Sequence, residues 1–433
     1  MAGVSRCPGR VQPLHQKPQG LALTDGQLRG QPVHAILLGR PPAAGGLGDI
    51  DDDLAALNPA DRVGERRDAG RKTNGLPGRC PGRLGASGAG DRAFRSAAGA
   101  DSVKVLIAGG AGFIGSTIAS ACVDSGISPV IVDNLGTGRR EFTTGRAFYQ
   151  GDIADGALID RIFADHPSIS AAIQCAALIV VPDSVADPVG YYQANVAKSL
   201  EFVAHLLRNG CERMIFSSSA AIYRPGADLT VDEDSPLDPQ SPYARTKAVC
   251  EEMFADIAAT QAIRVLSLRY FNPIGADPKL RTGLQLRRPT HALGKIIQAY
   301  EEGIPFQVTG TDYPTRDGTG IRDYIHVWDL ATAHLAALDR FDALMAGMAA
   351  TSSVINLGTG TGTTVRELLD AFNQAADRPV KSVDVGRRPG DVAGTYTRSN
   401  RAQRYLSWKP RYSIAEGIRH SLDWAAIRDH ILA

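Results

Sequence analysis

The sequence predicts an α/β protein with a doubly wound parallel sheet, a smaller C-terminal lobe and a disordered N-terminal extension. Three observations support this prediction: composition changes sharply near residue 102, short apolar runs then alternate with helix-like segments, and a glycine-rich turn joins the first such pair. Strand–helix alternation is typical of a parallel sheet with helices on both faces. We therefore divide the chain into an extension (1–102), a dinucleotide-binding domain (103–272) and a lobe that mainly binds substrate (273–433).

The extension differs from the rest of the chain in composition. Residues 1–100 contain one aromatic residue, Phe94, and 18 of the 46 glycines. Such a segment has too little apolar surface to offset the entropy of ordering it, so we predict disorder. Because the folded pattern begins abruptly at "VKVLIAGG", we also hypothesise that the natural protein starts at Val103. Peptides from residues 1–100 in its mass spectrum would contradict that hypothesis.

Bulk composition excludes several classes of protein. The net charge of +1 gives no reason to expect nucleic acid or an anionic membrane as a partner. No apolar run approaches the roughly 20 residues of a membrane span. The cysteines are scattered without a CxxC pair, which indicates reduced thiols in the cytoplasm and no zinc site. The six cysteines are Cys7, Cys80, Cys122, Cys175, Cys211 and Cys250.

From Val103 onward, apolar runs predict buried strands and glycines mark helix ends. The runs are continuous, as expected for strands covered on both faces. Gly126 and Gly210 stand just past two helix-like segments, where glycine commonly ends a helix. After Pro273, loops rich in Gly, Pro and Arg indicate the second lobe. The apolar runs are "VKVLIAGG", "SPVIVDN", "RAFYQGDI", "SAAIQCAA", "RMIFSSS" and "IRVLSLRYFN".

The stretch "AGGAGFIG" predicts a dinucleotide site. Its glycines follow a strand and open a helix, where they let the backbone approach a pyrophosphate at the helix N-terminus. Asp133 lies 18 residues after Gly115, the usual place for a carboxylate that binds the adenosine ribose, which favours NAD over NADP. Arg139 and Arg140 follow it, so NADP stays open. Asp152 is expected at the adenine or, alternatively, as a helix cap. The predicted cofactor residues are Gly109, Gly112, Phe113, Ile114, Gly115, Asp133, Asn134, Asp152, Ile153, Tyr243, Lys247 and Tyr270.

The stretches "FSSSAAIY" and "SPYARTK" predict the catalytic groups. The first ends a strand, and ligands of such sheets bind beyond the carboxyl ends of the strands. The second opens a helix in which Tyr243 and Lys247 share a face. A nearby ammonium favours the phenolate, which would suit Tyr243 to remove a hydroxyl proton, with Ser219 bonded to the same oxygen.

This order of serine, tyrosine and lysine after a glycine fingerprint resembles the extended short-chain dehydrogenase/reductase family, and within it the UDP-glucose 4-epimerases. The resemblance extends from Val103 to about Trp408. It implies that the substrate is a UDP-sugar, that NAD is tightly bound, and that the protein is a homodimer. The motifs that carry it are "GGAGFIG", "VDNL", "GDI", "FSSSAAIY", "SPYARTK", "LRYFNPIGA", "DYPTRDGTGIRDYIHVWDLA" and "RRPGD".

The resemblance also implies a mechanism without net redox. Tyr243 takes the proton of the sugar 4-hydroxyl, hydride leaves carbon 4 for NAD, and the 4-keto sugar turns and regains hydride on its other face. Forked arginine donors suit the diphosphate that anchors such a turn. The implied substrate residues are Ser219, Tyr243, Asn195, Asn272, Arg322, Arg388 and Asp391.

Departures from the family pattern leave the substrate open. A histidine- and glycine-containing motif is "QCAA" at 174–177, a common lysine is missing from "LIVVPDS", and Arg224 replaces a usual glycine. "LQLRRPTHALG" also replaces an "NLMP"-like stretch. Thr395 stands where some members have tyrosine, which leaves room for N-acetylated sugars. UDP-pentoses, UDP-uronates, an NAD-dependent nucleotide-sugar dehydrogenase and a non-catalytic nucleotide sensor stay as alternatives. The alanines in "SSSAAIY" argue against a 4,6-dehydratase.

Overall fold

A computed structural model describes residues 103–387 and 392–432. The predicted disorder of 1–102 and the start-site hypothesis concern residues outside those ranges. In the described part, the strands are β1 (Lys104–Ala108), β2 (Ser128–Asp133), β3 (Ala147–Gln150), β4 (Ile169–Gln174), β5 (Arg213–Ser219), β6 (Thr230–Val231), β7 (Arg264–Tyr270), β8 (Asn272–Ile274), β9 (Phe306–Thr309), β10 (Ile321–His326), β11 (Ser352–Leu357), β12 (Gly362–Thr364), β13 (Ser382–Val385) and β14 (Gly394–Thr397).

The main sheet confirms the predicted fold class. Seven strands lie in the order β11-β7-β5-β4-β1-β2-β3, and every neighbouring pair is parallel. The helices are α1 (Phe113–Asp124), α2 (Gly156–Asp165), α3 (Val181–Ala186), α4 (Pro188–Tyr192), α5 (Lys198–Arg208), α6 (Pro242–Thr260), α7 (Ala292–Glu302), α8 (Val327–Gly347), α9 (Val365–Ala375), α10 (Arg401–Leu406) and α11 (Ile414–Ile431).

Helices cover both faces of this sheet, which explains why its strands are apolar throughout. One core joins the sheet to α1 and α8, with Ile118 and Phe341 fully buried in it. The opposite core joins it to α2, α5 and α6 through Phe202 and Phe254. Because both faces of these strands contact a core, successive residues are apolar, and the strands lack the alternation of polar and apolar residues that half-exposed strands show.

A second, smaller lobe has its own sheets and core. Its larger sheet has the strand order β12-β10-β14-β6, and β8 pairs with β10. A separate two-stranded sheet consists of β9 and β13. Helices α7, α9 and α11 enclose a core that includes Phe372 and Ile418. Two capping boxes, Thr364 with Glu367 and Ser413 with Glu416, begin α9 and α11.

The chain passes between the two parts more often than one boundary at residue 272 implies. Strand β11 and helix α8 follow that boundary but belong to the main sheet and its core. Strand β6 precedes it but pairs with β14 of the second lobe. The division at residue 272 therefore stays a prediction, while the crossings determine which segments meet at the site.

Candidate active site

The glycine-rich turn between β1 and α1 has two glycines that the protein itself requires. Gly109 has a φ of +79°, and a Cβ there would lie 2.6 Å from the Ala176 nitrogen. A Cβ on Gly115 would lie 2.3 Å from the Gly109 carbonyl oxygen, so the first turn of α1 can pack on the loop only with glycine there. These contacts give the predicted motif a local structural reason.

At position 112, by contrast, no contact within the protein requires glycine. A Cβ on this residue would meet nothing closer than the Gly109 oxygen at 3.4 Å, and its φ of −84° suits any residue. No side chain caps α1, and no acidic residue lies in its first turn, which begins with Phe113 and Ile114. The backbone N–H groups and dipole of that turn therefore face a space that Gly112 keeps free, which fits a bound pyrophosphate.

Asp133 ends β2 beside this loop and is almost fully buried. Its carboxylate accepts hydrogen bonds from the Ala111 nitrogen at 3.0 Å and the Leu135 nitrogen at 2.8 Å. Burial raises the pKa of Asp133, and these two hydrogen bonds oppose the shift. A Cβ on Gly138 would lie 2.8 Å from the carboxylate, so this glycine makes room for it. The neighbouring Asn134 oxygen accepts from the Gly136 nitrogen.

Asp152 does not cap a helix, because Asp155 accepts from the Leu158 nitrogen at the start of α2. Asp152 instead forms a 2.5 Å ion pair with Lys198 and accepts from the Ala154 nitrogen. Burial opposes its ionisation, but the hydrogen bonds from Lys198 and Ala154 outweigh burial and its pKa lies below the ordinary value. Ile153 beside it is buried in the core under β2.

Ser219, Tyr243 and Lys247 come together where β5 and α6 meet. Ser241 caps α6 by accepting from the Ala244 nitrogen, and Pro242 follows it, so Tyr243 lies in the first turn. Tyr243 is partly buried, which raises its pKa, and the polar Ser219 side chain nearby opposes that rise. The residues predicted as catalytic are thus neighbours in the folded chain.

Lys247 is 3% exposed and lies one helical turn beyond Tyr243. Its ammonium donates to the Ser217 carbonyl oxygen at 2.8 Å and lies 4.7 Å from the centre of the Phe216 ring. Burial lowers the pKa of Lys247. No carboxylate of the described residues forms a salt bridge with it, so two N–H groups stay available for a polar ligand.

Tyr270 joins a buried chain of hydrogen bonds behind the site. Its hydroxyl bonds Ser217 Oγ at 2.9 Å and His334 Nε2, and His334 Nδ1 donates to the Leu330 carbonyl oxygen at 2.8 Å. Ser217 Oγ also lies 3.3 Å from Cys175 Sγ. Because Nδ1 must carry the proton, Nε2 accepts and the Tyr270 hydroxyl donates to it. Burial lowers the pKa of His334 to about 4, which keeps the ring neutral.

Asn195, predicted at the substrate, has its polar atoms engaged inside the protein. Its Oδ1 accepts from the Leu178 nitrogen at 2.8 Å, while Nδ2 donates to the Leu178 carbonyl at 2.9 Å and to Thr246 Oγ1 at 3.1 Å. It lies in a short π-helical turn, Gln193–Ala197. Asn195 therefore fixes the loop after β4, and a direct contact with substrate stays a prediction.

The predicted diphosphate residues are only partly within the described chain. Arg322 donates to the Ile321 and Ala393 carbonyl oxygens at 2.7 and 2.8 Å, and to that of Val392 at 3.2 Å. Asn272 pairs in register with Tyr324, two residues along the same strand β10. Arg388 and Asp391 lie outside the described residues. In the described part, the Arg322 guanidinium contacts these carbonyl oxygens and forms no salt bridge with a carboxylate, and its role at the diphosphate stays a prediction.

Sequence reasoning missed three groups with buried polar atoms, namely His291, His334 and Glu251. His291 caps α7, and its Nε2 is buried without a hydrogen-bond partner in the described chain. Burial lowers its pKa to about 4. His334 carried no recognisable signal, because its partners come from β5 and β7. Glu251 did carry one, since it follows Lys247 by four residues and shares a helix face with it.

Other classes of site find no support in the described ranges. Within 103–387 and 392–432, no helix is long and apolar enough to cross a membrane. The same ranges contain no group of three His, Cys, Asp or Glu side chains that could hold a metal ion. The four cysteines there, Cys122, Cys175, Cys211 and Cys250, are free.

Comparison with known proteins agrees with this geometry. A model of the NAD dependent epimerase/dehydratase family matches residues 105–358. The UDP-glucose 4-epimerase of Azospirillum brasilense is 39% identical over 328 residues, which cover 75% of this chain and 92% of that protein. The protein of that name from Rhizobium meliloti is 40% identical over 329 residues, covering 75% of this chain and 98% of that protein.

Solved structures agree as well. A UDP-glucose-4-epimerase from Stenotrophomonas maltophila with NAD and formylated UDP-arabinopyranose has a TM-score of 0.71 and 35% identity, covering 76% of this chain and 99% of its own. The Bifidobacterium longum enzyme with NAD+ and UDP has a TM-score of 0.69 and 34% identity, covering 75% and 98%. The chain therefore belongs to the NAD dependent epimerase/dehydratase family.

Proposed function

We propose that the protein interconverts UDP-glucose and UDP-galactose by epimerisation at carbon 4 of the sugar. The observation that carries the proposal is the placement of three groups: Ser219 at the carboxyl end of β5, Tyr243 in the first turn of α6, and the buried Lys247 one turn beyond it. The named activity of relatives that are 39–40% identical over three quarters of this chain supports the substrate.

Tyr243 is the proposed base and acid. Burial disfavours its phenolate, so ionisation depends on groups that supply positive charge or hydrogen bonds. Ser219 would supply one such hydrogen bond, and the Lys247 ammonium, one helical turn beyond Tyr243, would supply the charge. Tyr243 would take the proton of the sugar 4-hydroxyl and return it after the sugar has turned, with Ser219 holding the same sugar oxygen.

The residues present fit NAD. The space that Gly112 leaves free, the first turn of α1 and the carboxylate of Asp133 suit a pyrophosphate and a ribose diol. The two available N–H groups of Lys247 suit the second ribose. NAD, when bound, supplies a reversible hydride acceptor. A tightly held cofactor allows a reaction without net redox, so the proposal requires no added cofactor.

Substrate binding is assigned to Arg322, Asn272, Arg388 and Asp391 for the UDP part. A firmly held diphosphate with few contacts to the hexose would let the sugar present either face. Thr395 favours a second candidate, a 4-epimerase of another UDP-sugar. Its hydroxyl donates to the Leu229 carbonyl at 2.8 Å, and a threonine at this position would leave more space for a larger substituent than a tyrosine would.

A cytoplasmic homodimer is part of the proposal. The four free cysteines of the described chain agree with a reducing compartment. Helices α3 to α5 expose a row of apolar side chains, which agrees with a surface covered by a second copy. These side chains are Val185, Val189, Tyr192 and Leu200.

The decisive experiment incubates purified protein with UDP-galactose and no added cofactor. UDP-glucose should form, and the Tyr243→Phe variant should lose activity while its NAD content stays that of the wild type. Normal turnover by that variant would contradict Tyr243 as the base. Turnover of UDP-xylose, a UDP-uronate or an N-acetylated UDP-sugar without UDP-galactose turnover would favour the second candidate. Net release of NADH would instead indicate a dehydrogenase.

A further inference from the structure

A buried, charged network lies beneath the proposed catalytic pair. Ser218 of β5, Arg269 of β7 and Asn356 of β11 stand side by side in the register of the main sheet. Glu251 of α6 accepts from the Ser218 hydroxyl and from Arg269, whose Nε and Nη2 lie 3.0 and 2.5 Å from its oxygens. Glu251 therefore joins the helix that carries Tyr243 to the strand that carries Ser219.

Tyr223 continues this network toward the second lobe. Its hydroxyl accepts from Arg269 Nη1 at 2.7 Å and donates to Asn356 Oδ1 at 2.7 Å. The direction is fixed, because a guanidinium only donates and an amide oxygen only accepts. Burial raises the pKa of Tyr223 to about 12, so the hydroxyl keeps its proton. One oxygen atom thus joins the two halves of the network.

The far half ends on β14. The backbone N–H of Asn356 donates to Glu233 Oε1 at 2.7 Å. The hydroxyl of Ser399, just past β14, donates to Glu233 Oε2 at 2.5 Å. Strand β14 pairs in register with β10, where Thr395 lies opposite Arg322. A continuous series of hydrogen bonds therefore runs from α6 to the residues just past β14, the strand beside the proposed diphosphate site.

We propose that Tyr223 and Arg269 are positioning residues that hold the Ser219–Tyr243 pair in register with β14 and the anion site at Arg322. The proposal rests on the proposed function of that pair. A buried ion pair contributes little net stability, whereas leaving one partner unpaired is costly, so such a network resists displacement. Substrate anchored at Arg322 would then meet Tyr243 at a fixed distance, and proton transfer is sensitive to that distance.

The test removes the single oxygen at the junction. Tyr223→Phe should lower kcat about tenfold, with KM for the UDP-sugar changed less than about twofold and NAD content unchanged, because binding groups stay in place. Tyr149→Phe is the matched control. Tyr149 lies on β3, at the opposite edge of the sheet, and its hydroxyl donates to Asp165 at the end of α2, so kcat should not change. Equal kcat values for both variants, with or without a lower melting temperature, would overturn the proposal.

A double variant tests whether the residues act through one network. Asn356→Ser removes the acceptor of the Tyr223 hydroxyl, so Tyr223→Phe added to it should cause no further loss of kcat. Losses that multiply would show independent effects and contradict the inference. If Asn356→Ser does not fold, the comparison of kcat between Tyr223→Phe and its control, Tyr149→Phe, decides the proposal. All variants are assayed with whichever UDP-sugar the wild type converts. If the wild type does not convert UDP-galactose, that result contradicts the proposed function and leaves the test of the network intact.

Discussion

Gly112→Ala separates binding of the cofactor from stability of the fold. The nearest protein atom to the new Cβ is 3.4 Å away, an ordinary contact, and the φ of −84° suits alanine. We expect the unfolding free energy of the NAD-free protein to change by less than about 1 kcal/mol. The same methyl group occupies the space assigned to the pyrophosphate. An overlap that costs about 1.4 to 3 kcal/mol weakens NAD binding roughly 10- to 100-fold.

Two measurements and two comparison variants make this prediction sharp. Calorimetric titration of cofactor-free protein with NAD gives the affinity, and urea unfolding of the same protein gives the stability. Gly115→Ala should lose both, because its Cβ would lie 2.3 Å from the Gly109 oxygen. Gly347→Ala should keep both, since nothing lies within 4 Å of its Cβ. Wild-type affinity for NAD in Gly112→Ala would refute the assignment of the site.

Two further predictions concern stability. Burial lowers the pKa of His291 and His334 to about 4 and that of His326 to about 3, while each would titrate near 6.5 when unfolded. Their contribution to the free energy of unfolding is therefore present above pH 6.5 and is lost as pH falls toward 4. The loss amounts to about 2 kcal/mol per histidine by pH 5. Urea unfolding at pH 7 and pH 5 measures this loss, and equal stability at both values would contradict the prediction. Asp323→Ala leaves the donors of Thr359 and Gly360 unpaired. This substitution should lower the free energy of unfolding by about 3 kcal/mol or more. A decrease below about 1 kcal/mol in urea unfolding would show that water replaces the carboxylate.

Local sequence determined the main sheet and predicted the reacting groups. Continuous apolar runs specify strands covered on two faces, and the glycine at 115 follows from its backbone contact with Gly109 in the same turn. Tyr243 and Lys247 share a helix face because of their spacing, and Ser219 ends a strand of the same sheet. Each of these features depends on residues close in sequence, so a pattern of period or spacing reveals it.

Only the tertiary structure decided which distant groups complete the site. Lys247 donates to a carbonyl 30 residues away, and Asn195, which is predicted at the substrate, also fixes the loop at Leu178. Tyr223 bonds Arg269 and Asn356, and Asn356 bonds Glu233, although these residues come from separate segments. Such contacts depend on strand order and on crossings such as β6 and β11, which no local pattern encodes. The sequence by itself thus determined the chemistry of this protein, while the fold decided the geometry, because buried polar groups take whichever partners the topology brings within reach.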